Sequence, residues 1–302
     1  MWRRKSKPAT DGKKKRRKAE RALPLLLLLL SAACDGPASP DSKAAGFRIR
    51  AAHLSDYAWR DRRGTGQPVD MKPEPERAAL LRALSSPSAD LLILRGLGSR
   101  PALDHLQSEL ETTGTPYPHG FYIPGPDRYA GLGLLSQFPF DETRELSADR
   151  FRVRDREYRP TAGGVRLSIP GHPRLWIWNS RHPDPDEPYE RRRNDARMLA
   201  QALRPLVEAG DELLVSLHSR EEADSPMLRV LRELGLSRVT PRDGRGDSWT
   251  HRDPDDVLYR QDQWMFATPG LVKSFAAPPE VFDSPDIRTA GSYRHQGVTL
   301  TP

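Results

Sequence analysis

Apolar and polar positions recur along the chain with two different periods, which together predict an α/β protein. Runs that alternate or are fully apolar predict strands at residues 47–52, 91–94, 132–135, 165–169, 175–178, 213–217, 263–267 and 297–300. Stretches with helical spacing predict helices at residues 76–84, 103–110, 190–207 and 226–234. The strands at 165–169 and 175–178 are close enough in sequence to form a hairpin. Strands interleaved with helices favour sheets whose faces are covered by helices.

The N-terminus has the layout of an export signal. A basic run at residues 13–18 precedes an apolar run at 25–30, and small residues then lead to Cys34, the only cysteine. A charged start, an apolar core too short to span a bilayer and small residues describe a secretory signal peptide. Because a lone cysteine follows, the segment resembles a bacterial lipoprotein signal, which implies that the Cys34 thiol carries a diacylglycerol. The alternatives are a secreted protein with an incidental cysteine, or a basic cytosolic tail before a buried leucine helix.

The predicted organisation is a signal peptide at residues 1–33, a flexible tether at 34–46 and one domain at 47–302. The tether is small, polar and proline-bearing, as flexible linkers are. On this reading the protein is exported and lipid-anchored to a bacterial membrane, at its periplasmic or extracellular face, and the membrane is its first partner.

The net positive charge of the chain comes from its N-terminal segment, and this changes the class of partner that we expect. The whole chain has 48 basic and 41 acidic residues, but residues 1–33 hold 11 and 2 of these, which leaves 37 basic against 39 acidic. A nearly neutral domain lacks the broad basic surface of proteins that bind nucleic acid. We therefore expect no specific nucleic-acid partner.

Seven segments occur in an order that points to a known superfamily. They are FRIRAAHL, ADLLILRG, GLGLLSQFPF, LWIWNSRHP, DELLVSLHS, YRQDQWMF and YRHQGV. In this order they resemble the motif-bearing strands of the endonuclease/exonuclease/phosphatase superfamily. The resemblance implies a deoxyribonuclease-I-like four-layer α/β sandwich, with two packed mixed sheets flanked by helices. It also implies an ancestry in metal-dependent phosphodiester hydrolysis, which needs a divalent ion, a positioned water and a histidine held by a carboxylate.

The same resemblance implies that most of this hydrolytic chemistry has been replaced. The family positions that bind metal or position water fall on His53, Gly96, Leu217 and Ser219. The aspartate of the last motif falls on Arg294, and Arg95 directly precedes Gly96. Two guanidinium groups near a former metal position would repel a divalent cation. The resemblance therefore predicts a binding or scaffolding pseudoenzyme with an eroded site and no cofactor.

Three residues keep the family's residue types and are the catalytic candidates. Asp262 and His295 match a carboxylate-histidine pair of the superfamily. His182 lies at, or one residue past, the histidine of its Asn-Thr-His motif. Each residue also has an interpretation without function. Asp262 could be a surface carboxylate, His295 a hydrogen-bonded loop histidine, and His182 a chance residue in a proline-rich loop. If they act, the alternative function is an active phosphoesterase or nuclease with remodelled ligands that uses magnesium or manganese.

Two other sites follow from the replaced residues. Three histidines, His53, His182 and His218, could replace the lost carboxylates around a transition metal, although a strand would direct Leu217 and His218 to opposite faces. Alternatively, Arg95 and Arg294 bind an anion without metal, since a guanidinium matches a phosphate or carboxylate by paired hydrogen bonds. A phosphate-bearing or other anionic molecule is then the predicted ligand.

Overall fold

The computed structural model describes residues 46–54, 57, 72–126, 130–146, 149–252, 259–289 and 294–302. The helices in these ranges are α1 (Glu74–Ser85), α2 (Arg100–Thr112), α3 (Tyr189–Glu208), α4 (Pro226–Glu233), α5 (Pro269–Lys273) and α6 (Pro285–Thr289). The strands are β1 (Phe47–His53), β2 (Leu91–Leu97), β3 (His119–Ile123), β4 (Gly131–Ser136), β5 (Glu142–Glu145), β6 (Phe151–Val153), β7 (Arg156–Tyr158), β8 (Thr161–Ile169), β9 (His172–Arg181), β10 (Glu212–His218), β11 (Ser237–Val239), β12 (His251–Arg252), β13 (Tyr259–Arg260), β14 (Gln263–Ala267), β15 (Glu280–Phe282) and β16 (His295–Leu300).

Two six-stranded sheets form the body of the domain. The first has the strand order β15-β16-β1-β2-β4-β3 and the second the order β11-β14-β10-β9-β8-β5. Both sheets are mixed, because β1 pairs with β2 and β9 with β10 in parallel while their other neighbours are antiparallel. The sheets pack face to face through an apolar core that includes Ile49 and Ile93 from one sheet and Ile177 and Leu214 from the other.

Helices cover the outer face of each sheet. Leu80 of α1 and Leu106 of α2 belong to the apolar cluster on the outer face of the first sheet. Leu203 of α3 and Leu231 of α4 belong to the corresponding cluster on the second. The order helix, sheet, sheet, helix is the four-layer sandwich that the sequence predicts, and this fold prediction is confirmed.

Every strand and helix predicted from the hydrophobic pattern is present, and the hairpin is β8–β9, with Gly171 at a φ of +80° in its turn. The pattern missed short elements at the sheet edges and in loops. Edge strand β5, with the sequence ETRE, is mostly exposed and carries no apolar signal. Pairing with β8 makes it a strand, so its assignment depends on tertiary contacts.

The predicted signal peptide, Cys34 and the predicted tether lie outside the described residues, except Gly46 directly before β1. Within the described ranges, no helix has both the length and the apolar character needed to cross a bilayer.

Candidate functional site

The carboxyl ends of β1 and β2 meet those of β9 and β10 at one end of the two sheets. Period-two alternation points His53 and Arg95 from the first sheet, and Ser216 and His218 from the second, into the space between them. The rings of His53 and His218 lie 5.2 Å apart between centroids. Beneath them, Asn179 of β9 donates hydrogen bonds to the carbonyls of Leu94 (2.8 Å) and Gly133 (3.2 Å), which ties the sheets together.

Arg95 is the buried centre of this end of the sandwich. Its side chain crosses from the first sheet to the second, where Nη2 donates to Ser216 Oγ at 2.5 Å and Nη1 to Gln263 Oε1 at 3.4 Å. The residue is 1 % exposed, and its Nε has no hydrogen-bond partner among the described residues. No carboxylate in the described part of the chain forms an ion pair with it, and burial lowers the pKa of the Arg95 guanidinium to about 9.

Gly96 occupies a backbone conformation that explains its residue type. Its φ is +78°, and the pairing of β2 with β4 shifts register between Arg95 and Leu97. This β-bulge needs a residue that tolerates the left-handed region, which favours glycine. The residue that the sequence resemblance matched to a metal-binding glutamate therefore lies in a bulge directly after Arg95.

The imidazoles in this site are neutral at pH 7. Burial, followed by the charges of Arg95 and Arg181, lowers the pKa of His53 to about 3. Burial, followed by electrostatic coupling to His53 and the charge of Arg95, also holds the pKa of His218 well below its usual range. Since an added proton here is opposed by fixed positive charge, the electrostatic character of the site favours a negative occupant.

The side chains at these strand ends do not fit a divalent metal ion. Hard cations such as Mg²⁺ need carboxylate or carbonyl oxygens, and the described residues here offer guanidinium, imidazole, hydroxyl and amide groups. In the described ranges, no three histidine, cysteine, aspartate or glutamate side chains lie where they would hold a metal. His182 and His218 are separated by the sheet, because neighbouring β9 and β10 direct them to opposite faces.

Arg294, the second arginine of the predicted anion site, has internal partners. Its Nη2 donates to Asp243 Oδ2 at 2.6 Å, its Nη1 donates to the carbonyl of Trp249 at 3.1 Å, and its guanidinium lies 3.9 Å from the centre of the Trp249 ring. Hydrogen bonds from Arg294 and from neighbouring amides hold the pKa of Asp243 below its usual range against the opposing effect of burial. Gln263 links the two arginines, since its amide also donates to the Arg294 carbonyl at 3.3 Å.

The structure does not bring Asp262 and His295 together. Asp262 is 1 % exposed and precedes β14, with Arg260 Nε 3.8 Å from its Oδ1. Burial raises the pKa of Asp262, an effect that Arg260 opposes. His295 instead lies on the outer face of the first sheet, where burial and the charge of Arg50 lower its pKa to about 3. Among the described residues no hydrogen bond or ion pair joins the two, and their catalytic roles stay predictions.

His182 lies on the face of the second sheet that α3 covers. It is 2 % exposed, and its Nε2 lies 3.9 Å from Oδ1 of Asp195 on α3. Its predicted catalytic role also stays a prediction. In the parallel pairing of β9 with β10, the residue paired with His218 is Arg181. Arg181, and not His182, is therefore the residue at the end of β9 that lies on the inner face.

Sequence reasoning missed several residues that line the site. Ser216, Gln263, Asn179 and Arg181 were not candidates, although alternation from buried Leu214 places Ser216 and His218 on the inner face. Leu217, assigned to a water-positioning aspartate, belongs to the apolar cluster under α3 and α4. Counting faces from a core residue would have found Ser216, but only the fold shows that Gln263 approaches Arg95.

Comparisons with known proteins support the fold. No protein-family model and no curated protein sequence matches the chain. Among solved structures, it is similar to the 3′-5′ exonuclease NExo from Neisseria meningitidis, with a TM-score of 0.61, 12 % identity and coverage of 85 % of this chain and 100 % of that one. It is also similar to an endonuclease/exonuclease/phosphatase from Bacteroides vulgatus (TM-score 0.63, 10 % identity, 85 % and 98 % covered). The catalytic domain of human Nocturnin is a third (TM-score 0.58, 15 % identity, 85 % and 94 % covered). The chain therefore has the fold of endonuclease/exonuclease/phosphatase proteins.

Proposed function

We propose that this protein is a lipid-anchored, extracytoplasmic binding protein that holds a phosphate-bearing or other anionic ligand at Arg95 without hydrolysing it. The observation that carries the proposal is the buried guanidinium of Arg95, whose nearest partners, Ser216 and Gln263, are uncharged. A buried charge is stable only when it is paired. An oxyanion would supply the missing countercharge.

The anion reaches Arg95 past side chains that are only partly buried. His53 and Arg181 are partly exposed, and the charges of Arg95 and Arg181 both act on His53. The nearest acid to Arg181 is Asp184, at a distance of 3.9 Å between Nη2 and Oδ2. Because this contact is longer than the 2.6 Å between Arg294 Nη2 and Asp243 Oδ2, Arg181 rather than Arg294 is the second cation of the proposed site.

The proposed absence of hydrolysis follows from the same side chains. Phosphodiester cleavage by this fold needs a metal to stabilise developing negative charge and a base to activate water. Arg95 can stabilise an anion, but a guanidinium cannot accept a proton from water at neutral pH. The neutral imidazoles of His53 and His218 are weak bases, because burial and positive charge hold their pKa values far below the usual range. The site can thus bind an oxyanion but offers little driving force to deprotonate a nucleophile beside it.

Calorimetry tests the proposed ligand class. The purified full chain is titrated with inorganic phosphate and with a phosphodiester, and we expect saturable binding that Arg95→Met weakens at least tenfold. Arg204→Met, which removes an exposed arginine of α3, is the matched control and should leave binding unchanged. Equal affinity in the Arg95 variant would contradict the proposal.

An activity assay tests the absence of hydrolysis. Phosphodiesters, phosphomonoesters and DNA are incubated with the protein and magnesium, manganese, calcium or zinc, and we expect no turnover above background. Turnover that His295→Ala abolishes would establish the alternative, an active phosphoesterase or nuclease.

The anchor is tested separately at Cys34. The full chain expressed in a bacterium is expected to incorporate labelled fatty acid and to sediment with membranes, whereas Cys34→Ala is expected to do neither. If the variant still incorporates labelled fatty acid and still sediments with membranes, lipidation at this position is excluded.

A further inference from the structure

A cavity lies beside the N-terminal part of α3 and the β6–β7 hairpin, and Arg95 is not among the residues that line it. Its volume is about 410 Å³, within the range of roughly 300–1,000 Å³ that small-molecule sites occupy. We call it the α3 pocket, and its lining includes Tyr158, Arg181, His182, Arg191 and Asp195. None of the proposed chemistry at Arg95 uses His182 or Asp195.

His182 is buried in this lining with its hydrogen-bonding capacity unused. Its main-chain N–H donates to the carbonyl of His218 at 2.9 Å, which fixes the backbone. Neither ring nitrogen has a hydrogen-bond partner in the described part of the chain. Oδ1 of Asp195, at 3.9 Å from Nε2, is beyond hydrogen-bond distance. Buried polar atoms are almost always paired with protein, water or ligand, so these nitrogens indicate an occupant.

The same face of β9 carries two further unsatisfied groups. Trp178 Nε1 and Ser180 Oγ are buried and have no hydrogen-bond partner among the described residues. Alternation along β9, continued by one residue through the main-chain hydrogen bond of His182 to His218, places Trp178, Ser180 and His182 on one face, under α3. Three residues with unpaired buried polar atoms therefore follow one another on this face, and the last of them, His182, lines the α3 pocket.

The charges of the α3 pocket are largely compensated within its wall. Besides Asp195, three arginines (Arg159, Arg181 and Arg191) and three acids (Glu157, Asp184 and Glu187) line the pocket, so their formal charges cancel. Arg191 forms an ion pair with Glu187, and Arg181 Nη2 lies 3.9 Å from Asp184 Oδ2. His182 and Asp195 add no charge at pH 7, because burial lowers the pKa of His182 to about 4 and raises that of Asp195 to about 8. The pocket is thus polar but offers little countercharge to an ionic ligand.

We propose that the α3 pocket binds a small neutral polyhydroxylated molecule, a sugar of one or two rings, whose hydroxyl groups hydrogen-bond to His182 and Asp195. A hydroxyl both donates and accepts. It can donate to an imidazole nitrogen while it accepts from the carboxylic acid, which satisfies the pair that the protein leaves 3.9 Å apart. A carboxylate or ammonium ligand would lose its hydration in a pocket whose lining carries no net formal charge.

Ligand-observed NMR and calorimetry on the purified full chain test this inference. The probes are neutral mono- and disaccharides, compared with sugar phosphates and amino acids of similar size. We expect saturable binding of at least one neutral sugar, weakened at least tenfold in His182→Leu and in Asp195→Leu. Asp195→Asn, which keeps the shape and a donor, should bind within about threefold of the unaltered protein, in keeping with the modest net worth of one hydrogen bond.

A second readout avoids dependence on variant folding. In the unaltered protein, the His182 ring resonance should shift on titration with the bound sugar, and the shift should saturate with the calorimetric affinity. Arg95→Met should leave sugar binding unchanged, which separates this site from the proposed anion site. Ordered water only, seen as no saturable binding of any neutral sugar, would overturn the inference, as would binding that His182→Leu leaves intact.

Discussion

Two buried arginines with opposite surroundings distinguish neighbouring regions of this protein. Arg294, 4 % exposed, has a carboxylate, a carbonyl and an aromatic ring as partners. Arg95, 1 % exposed, has a serine hydroxyl and an amide oxygen. A guanidinium that is paired within the protein, as in Arg294, has a structural role that needs no ligand. One that is buried without a countercharge costs folding free energy, and the proposed anionic ligand would offset that cost.

The pH dependence of stability should separate the two regions most strongly. Around Arg95 the pKa values of His53 and His218 lie below 6.5 in the folded state, so the unfolded chain binds more protons as the pH falls through and below 6.5. Stability is therefore lost in this window, by a few kcal/mol at pH 4. Around Arg294 the pKa of Asp243 is lowered, so its contribution is lost only below the unfolded value of 3.8.

Urea unfolding between pH 7 and pH 3 checks this prediction. His53→Gln should flatten the loss between pH 6.5 and 4, and Asp243→Asn should leave that part of the curve unchanged in slope. A stability that is constant from pH 7 to pH 4 would contradict the assigned neutrality of the two imidazoles.

Replacing each arginine by methionine should have effects of opposite sign. Arg294→Met removes a hydrogen-bonded pair and the contact with Trp249, and it should lower the free energy of unfolding by about 2–3 kcal/mol. Arg95→Met removes an uncompensated buried charge at similar volume, and it should be neutral or stabilising by about 1 kcal/mol in phosphate-free buffer.

Thermal and urea unfolding of both variants at pH 7 supply the measurement. The contrast should grow when phosphate is added, because only the unaltered protein and Arg294→Met can gain stability from an anion bound at Arg95. Equal destabilisation by both substitutions would show that Arg95 is as well paired as Arg294.

The smallest expected change in the free energy of unfolding concerns an exposed arginine. Arg154, in the turn between β6 and β7, has a φ of +52°, a region in which a side chain is unfavourable. Arg154→Gly should raise the free energy of unfolding by about 0.5–1 kcal/mol, and Arg154→Ala, which keeps a Cβ, should change it little. A destabilised glycine variant would show that this side chain has a partner that offsets the backbone cost.

The sequence predicted the layers of the fold well because burial leaves a periodic signal. Residues 213–217 were predicted as a buried strand, and β10 (Glu212–His218) is that strand. Edge strands such as β5 were missed because partial exposure removes the signal. The site was predicted less completely, since the sequence identified Arg95 and His218 but not Ser216 or Gln263.

What the sequence determined by itself is the two-period pattern of apolar residues, and with it the sandwich whose strand ends carry arginine and histidine. Only the tertiary structure decided which arginine has a countercharge. Arg95 and Ser216 are 121 residues apart, and Arg294 and Asp243 are 51 apart. The physical reason is that periodicity records burial along one element, whereas the pairing of charges depends on which distant elements the fold brings into contact.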